Sequence, residues 1–336
     1  MSKSKRTFGN VVLMLLKIFL AGVLALAILS GVCFLISFSG IYIHNDTGAT
    51  DYKWAPHQWK STVFESYSWI NMDENGFSNE NVYPRGDIDV LVMGSSHMEA
   101  AQLPPAKHAA GLLDAALEEN VYNIGISGHT LYTCVKNIQN AMDEYAPSDF
   151  VIIETATIDL SVSQMQEVLA GEYATIPSYD SGVLYYLQKY VPALKTLYKN
   201  ISDWRDAEAD KSESVVIPTD ESDYAKTLRE FLRTAASPVK ATGAQLIIFY
   251  HPQFERNDSG EYTLQVDQQK MAVFQDACKN EGIIFLDMSE AFTDMYMCEH
   301  VFPHGFSNSA VAAGHLNEYG HQAIAAELIK AIEENS

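Results

Sequence analysis

The chain has 336 residues, of which 47% are hydrophobic and 11% aromatic, a composition that can bury a core and excludes general disorder. Its formal net charge of −21 argues against a nucleic-acid partner, because binding phosphates needs clustered Lys and Arg. The length suits one large domain with an appendage, or two modest ones.

Residues 18–43 contain no charged side chain, more than the roughly 20 apolar residues that cross a bilayer as a helix. A transmembrane signal anchor is expected there, behind a tail at 1–17. Lys3, Lys5, Arg6 and Lys17 lie on the N-terminal side of the run, whereas Asp46 and Asp51 follow it. The positive-inside rule then predicts a single-pass cell-membrane protein with a cytoplasmic N-terminus and an extracytoplasmic domain. A cleaved signal peptide ending at Ser37-Phe38-Ser39 is the rival; the apolar run exceeds the usual length of about 15 for such a core, which favours the anchor. Of the four cysteines, Cys33 lies in the run, leaving Cys134, Cys278 and Cys298 outside. Three is no disulfide framework: one bridge is compatible with it and none is required.

Residues 44–86 hold Trp54, Trp59 and Trp69 without sustained periodicity and read as a membrane-proximal stalk packed on the domain. Five short apolar runs of strand length follow, at 88–93, 121–124, 150–153, 246–250 and 283–286. Near-continuous apolar character of this kind marks strands buried on both faces. Helical stretches at 106–119, 130–145, 222–240, 264–280 and 318–334 alternate with them, so an α/β fold with a parallel sheet covered on both sides is expected. A Tyr-rich insertion at 160–221 separates the third strand from the fourth. Its Tyr173, Tyr179, Tyr185, Tyr186 and Tyr190 suit either a sugar-stacking wall or helix packing.

Ligands of open α/β sheets bind beyond the carboxyl ends of the strands, and the polar residues collect there. Ser95-Ser96-His97 follows the first run, Gly125 to His129 the second, Glu154 to Thr157 the third, His251-Pro252 the fourth and Asp287 the fifth. His315 sits in the loop before the last helix. A serine hydroxyl is a weak nucleophile that needs an adjacent base, usually His, and amide donors for the oxyanion that develops. Ser96, His315 and the glycine-bearing loop Asn123 to Thr130 offer these parts for acyl transfer. His97, His129, Thr155 and His251 are candidate substrate contacts at the pocket. A zinc site from Cys298, His300, His304 and His315 matches no closed ligand spacing, so no metal and no cofactor is expected.

These blocks resemble those of the SGNH or GDSL-type hydrolases and their cell-envelope O-acyltransferase relatives. Gly94-Ser95-Ser96 is similar to the family's Gly-Asp-Ser block, with Ser96 in the nucleophile's place. Asn123, Gly125 and Gly128 match the oxyanion block, in which Gly128 would donate beside the Ser96 amide. His315-Leu316-Asn317-Glu318-Tyr319-Gly320-His321 matches the last block. The resemblance implies a three-layer α/β/α sandwich with a five-stranded parallel sheet, flavodoxin-like in order, over residues 87–334. It departs twice. Ala312 stands where the family has an acid, so His315 is oriented by a backbone carbonyl or by a carboxylate from elsewhere, Asp287 or Glu154. Ala156-Thr157-Ile158-Asp159 replaces Gly-x-Asn-Asp, so the oxyanion asparagine is missing unless Thr155 or Thr157 substitutes. The resemblance implies an esterase or O-acyltransferase acting through an acyl-Ser96 intermediate on a cell-envelope glycan or an acylated small molecule. A membrane-bound O-acyltransferase is the partner it implies. The alternative, motivated by Ala312 and Ile158, is a catalytically degenerate glycan-binding or scaffold component of an envelope polysaccharide assembly system.

Overall fold

A computed structural model describes residues 2–37, 40–62, 65–174, 221–257 and 259–336. The chain divides into two compact units. The first contains helix α1 (Ser2–Ser37), in which the 23 residues Asn10–Val32 have a mean hydropathy of 2.8 and are exposed along their length. By length and composition this helix can cross a membrane. It begins earlier than residue 18 and ends before residue 43, because the chain already runs as strand at Tyr42.

The second unit comprises Gly40–Tyr179 and Val216–Ser336. Its centre is a parallel sheet of β5 (Val90–Met93), β6 (Val121–Asn123), β7 (Phe150–Thr155), β8 (Gln245–Tyr250) and β11 (Ile284–Asp287). The spatial order β6-β5-β7-β8-β11 is the flavodoxin-like 2-1-3-4-5 arrangement, whose switch point lies between β5 and β7. Every residue of β5, β6 and β7 is buried, as their apolar runs require.

Helices α4 (Leu131–Tyr145), α5 (Val162–Ala170), α6 (Glu221–Thr242) and α7 (Gln268–Asn280) cover one face. Helices α3 (Ala109–Ala116), α8 (Ser289–Asp294) and α9 (Glu318–Asn335) cover the other. Side chains alternate between two cores: Leu91, Val151, Ile153 and Ile248 face the first, and Val90, Val92, Ile152 and Ile247 the second. The three-layer sandwich expected from the strand–helix alternation is therefore present.

Segment 40–72 is more ordered than its sequence suggests. It folds into two antiparallel ribbons, β1 (Tyr42–His44) with β2 (Tyr52–Trp54) and β3 (Trp59–Thr62) with β4 (Ser68–Asn71). Tyr52, Trp54, Ile70 and Met72 enter the first core. A further hairpin, β9 (Phe254–Arg256) with β10 (Tyr262–Leu264), follows the sheet's fourth strand. Within the insertion, α5 and Tyr173 are described, the latter packed on Tyr132 with ring centroids 5.6 Å apart; Tyr179, Tyr185, Tyr186 and Tyr190 lie outside the described residues. Among the described cysteines none is paired, Cys134 and Cys278 being buried and Cys298 exposed.

Candidate active site

The turn after β5 separates the two adjacent serines by role. Ser95 is the N-cap of the short helix α2 (Ser96–Glu99), its hydroxyl accepting the His97 amide at 3.2 Å, as capping serines do. Ser96 opens the helix, and its Oγ lies 2.9 Å from His315 Nε2. The sheet thus brings together two residues 219 positions apart.

The loop that presents His315 is held on both sides. Asn317 caps α9 through Oδ1, which accepts the amides of Tyr319 and Gly320 at 3.0 and 3.1 Å. Its Nδ2 donates to the carbonyls of Phe302 and Gly305 at 2.7 and 2.9 Å. His321, in the first turn of α9, is buried and accepts the Ala109 amide through Nδ1 at 3.0 Å, which is a structural role.

The carboxylate that orients His315 is Glu65, from the loop between β3 and β4. One oxygen, Oε2, accepts from His315 Nδ1, and Oε1 accepts the His315 amide at 3.1 Å. Gln102 Nε2 donates to the same Oε2 at 3.3 Å. The next residue is locked to the His315 side of the site by a reciprocal pair: the Ser66 amide donates to Asn308 Oδ1 at 2.8 Å and Asn308 Nδ2 to the Ser66 carbonyl at 3.0 Å. Gly314 makes room for this carboxylate. Its φ is +89° and a Cβ there would come within 2.0 Å of Glu65 Oε1, so only glycine suits both the backbone and the contact.

Neither carboxylate expected from the strand ends takes that place. Asp287 accepts from the amide of Ser289 at 2.9 Å and from its hydroxyl, starting α8. Glu154, 2% exposed, lies under the nucleophile turn, where Oε2 accepts the Ser95 amide at 2.7 Å and Oε1 accepts from His251 Nε2 at 2.6 Å. Burial alone would raise its pKa, but His251, His97 and the Ser95 amide outweigh that and hold it at about 2. A carboxylate ionised there can only accept, so His251 carries its proton on Nε2. Ala312, at the family's acidic position, is buried in the core.

Three of the expected substrate contacts are spent on structure. His251 is fully buried beneath the turn. His129 is buried, its ring edge-on to Tyr52 at 5.1 Å. Thr155 donates its hydroxyl to the Thr157 carbonyl at 2.7 Å. His97 remains half-buried beside the base, 5.2 Å from the His315 ring, with Nδ1 accepting the Leu316 amide at 3.3 Å.

His97, His251 and His304 form a cluster that sequence spacing did not show, since they come from three separate loops. One nitrogen of each lies within 4.8 Å of the others, so these are the residues that could hold a metal ion. With His251 Nε2 donating to Glu154, its Nδ1 accepts from His304 Nε2 at 3.3 Å, while His304 Nδ1 is buried without a hydrogen-bond partner among the described residues. Burial, reinforced by the neighbouring imidazoles, lowers the His97 pKa to about 3 and that of His304 to about 2. Cys298 and His300, near His304 in sequence, are exposed, whereas His304 is buried.

No protein-family model matches the chain, and no curated protein matches it. Among solved structures, TesA is similar over 74% of this chain and 99% of its own, at 13% identity and a TM-score of 0.40. The psychrotrophic esterase EstA from Pseudoalteromonas sp. is similar over 73% of this chain and 96% of its own, at 12% identity and a TM-score of 0.37. A two-domain esterase active on acetylated mannans, co-crystallised with mannopentaose, is similar over 74% of this chain and 49% of its own, at 12% identity and a TM-score of 0.39.

Proposed function

We propose that the chain is an SGNH-type serine acyl-esterase or O-acyltransferase that works through an acyl-Ser96 intermediate. The observation that carries this reading is the line Ser96 Oγ, His315 Nε2, His315 Nδ1, Glu65 Oε2, in which each atom is within hydrogen-bond reach of the next or on the same ring. Nucleophile, base and orienting acid in this order are the parts of a serine triad, which is recognised by geometry rather than sequence position.

The steps follow from the atoms. His315, holding its proton on Nδ1 toward Glu65, takes the Ser96 proton on Nε2 as Oγ attacks the acyl carbonyl. Glu65 stabilises the imidazolium that forms. The oxyanion of the tetrahedral intermediate is received by the amides of Ser96 and Gly128. Collapse transfers the Nε2 proton to the departing alkoxide and leaves acyl-Ser96. A water or a sugar hydroxyl then gives its proton to His315 Nε2 as it attacks the acyl carbon, and collapse breaks the acyl–Oγ bond while Nε2 returns that proton to Ser96 Oγ, giving hydrolysis or transfer. The apolar stretch of α1 and the positive charges toward its N-terminal end support a membrane-anchored enzyme with its catalytic unit outside the cell. The glycan acceptor and a membrane-bound acyltransferase that supplies the acyl group are the finer parts of the same proposal, resting on the motifs at Gly94–Ser96 and His315–His321.

The scaffold alternative drew on Ala312 and Ile158, and Glu65 beside His315 favours the enzyme against the first of these. The test is Ser96→Ala in the full-length chain in detergent. Wild type is expected to hydrolyse 4-nitrophenyl acetate and to be labelled at Ser96 by a fluorophosphonate; the variant is expected to lose about 10⁴-fold or more in kcat and all labelling. A wild-type chain that does neither sinks the reading. Product analysis with oligosaccharide acceptors separates transfer from hydrolysis.

A further inference from the structure

One side chain of the N-terminal ribbons holds the loop that the reaction uses for its oxyanion. Tyr52, on β2 and 2% exposed, donates its hydroxyl to the Ser127 carbonyl at 2.8 Å. That carbonyl and the Gly128 amide belong to one planar peptide group, in which C=O and N–H point in opposite directions. A bond that fixes the carbonyl therefore fixes the direction of the Gly128 N–H, and polarises it. Gly128 has φ +89°, and a Cβ there would approach the Tyr52 oxygen to 2.6 Å, so this loop and this phenol fit only with glycine present.

The other side of the same loop is held from the nucleophile helix. Glu99, the last residue of α2 and 1% exposed, accepts the Ser127 amide through Oε2 at 2.6 Å. Its Oε1 is paired with Lys60 of β3, whose ammonium also lies 4.6 Å from the Trp54 ring centroid. Burial pushes the Glu99 pKa up, but Lys60 and the Ser127 amide reverse this. A carboxylate in such a place is tolerable only while its cation stays.

We propose that Tyr52, together with Glu99 neutralised by Lys60, positions the Ser127–Gly128 peptide as the oxyanion donor, so that the two N-terminal ribbons complete the oxyanion hole as well as the triad. This rests on the acyl-transfer reading above. These are positioning residues, acting through the Ser127–Gly128 peptide rather than on the substrate. The arrangement offers a physical answer to the absent asparagine of the third block: one well-fixed amide takes over where a second side-chain donor is lacking.

The experiment compares full-length wild type, Tyr52→Phe, Lys60→Met and Lys60→Arg in detergent, with 4-nitrophenyl acetate kinetics, fluorophosphonate labelling and amide hydrogen exchange. Tyr52→Phe keeps the ring and its packing on Tyr42 and His129 and deletes one hydroxyl. It is expected to lower kcat about 10- to 100-fold, somewhat less than deleting an oxyanion donor outright, with KM within about threefold. Lys60→Met should do the same, and Lys60→Arg, which keeps the charge, should retain at least about a third of wild-type kcat. Faster exchange should be confined to segment 124–130. If wild type is active and Tyr52→Phe and Lys60→Met match it in kcat and labelling, only this inference falls. A loss carried by KM, or spread over the whole exchange map, also overturns it. If wild type neither turns over nor labels, the acyl-transfer reading itself falls and takes the oxyanion role with it.

Discussion

At the scale of single residues, the pairing of Ser96 with His315 was legible and the carboxylate that joins them was not. Ser96 and His315 announce themselves because each sits in a short local pattern at a strand end or before a helix. Glu65 has no pattern: it lies 250 positions from its partner in a stretch without periodicity, and nothing local distinguishes it from Asp46, Asp51 or Glu80. The indirect signal was Gly314, whose lack of a side chain leaves space for a carboxylate. Glu65→Gln, which keeps the volume but removes the charge, should lower kcat at least about 100-fold, because the neutral amide neither fixes the tautomer nor stabilises the imidazolium. Asp287→Asn, which disturbs only the start of α8, should stay within about twofold of wild type in the same assay. Equal losses in the two variants would contradict the assignment of the acid.

At the scale of elements, the five strands of the sheet were readable because burial on both faces imposes continuous apolar runs. The ribbons β1 to β4 escaped because strands of three or four residues are too short to display a period of two. Their order comes from tertiary packing, with Trp54 and Ile70 in the core, rather than from local propensity. Helix α9 illustrates how an element end becomes part of a site. Asn317 serves its cap and two carbonyls at once, and His315 is two residues before it. Asn317→Ala loses the cap, worth about 1 kcal/mol, and strips the hydrogen bonds from two carbonyls at about 1 kcal/mol each. Thermal unfolding should show about 2–3 kcal/mol of destabilisation, together with reduced turnover as His315 loses its register. Asn317→Asp, which keeps the cap oxygens, should recover part of both. Unchanged turnover in the alanine variant would show that the loop is held by other means.

At the scale of the whole molecule, burial of histidines makes acid a destabilising agent. Burial lowers the pKa of His108 and His129 to about 4, and that of His321 well below its ordinary value. Released by unfolding, each would titrate near 6.5. The folded state therefore binds fewer protons than the unfolded state below that pH, and stability rises with pH through this range. The contribution is complete above about 6.5 and is lost as pH falls toward about 4, on the order of 2 kcal/mol per histidine by pH 5 for His108 and His129. The melting temperature of the full-length chain should fall steadily from pH 7.5 to pH 5.0. A flat profile would show that these imidazoles accept protons in the folded state without penalty.

The pairing of Glu65 with His315 also bears on when the protein can first act. Glu65 is made before Ser96 and before any strand of the central sheet. His315 is made after all five of those strands. Closing so long a loop is entropically costly until most of the intervening fold is in place, so the line Ser96–His315–Glu65 assembles late. Under the proposed mechanism, a chain cut between the last sheet strand and His315 would keep its sheet and lose its turnover.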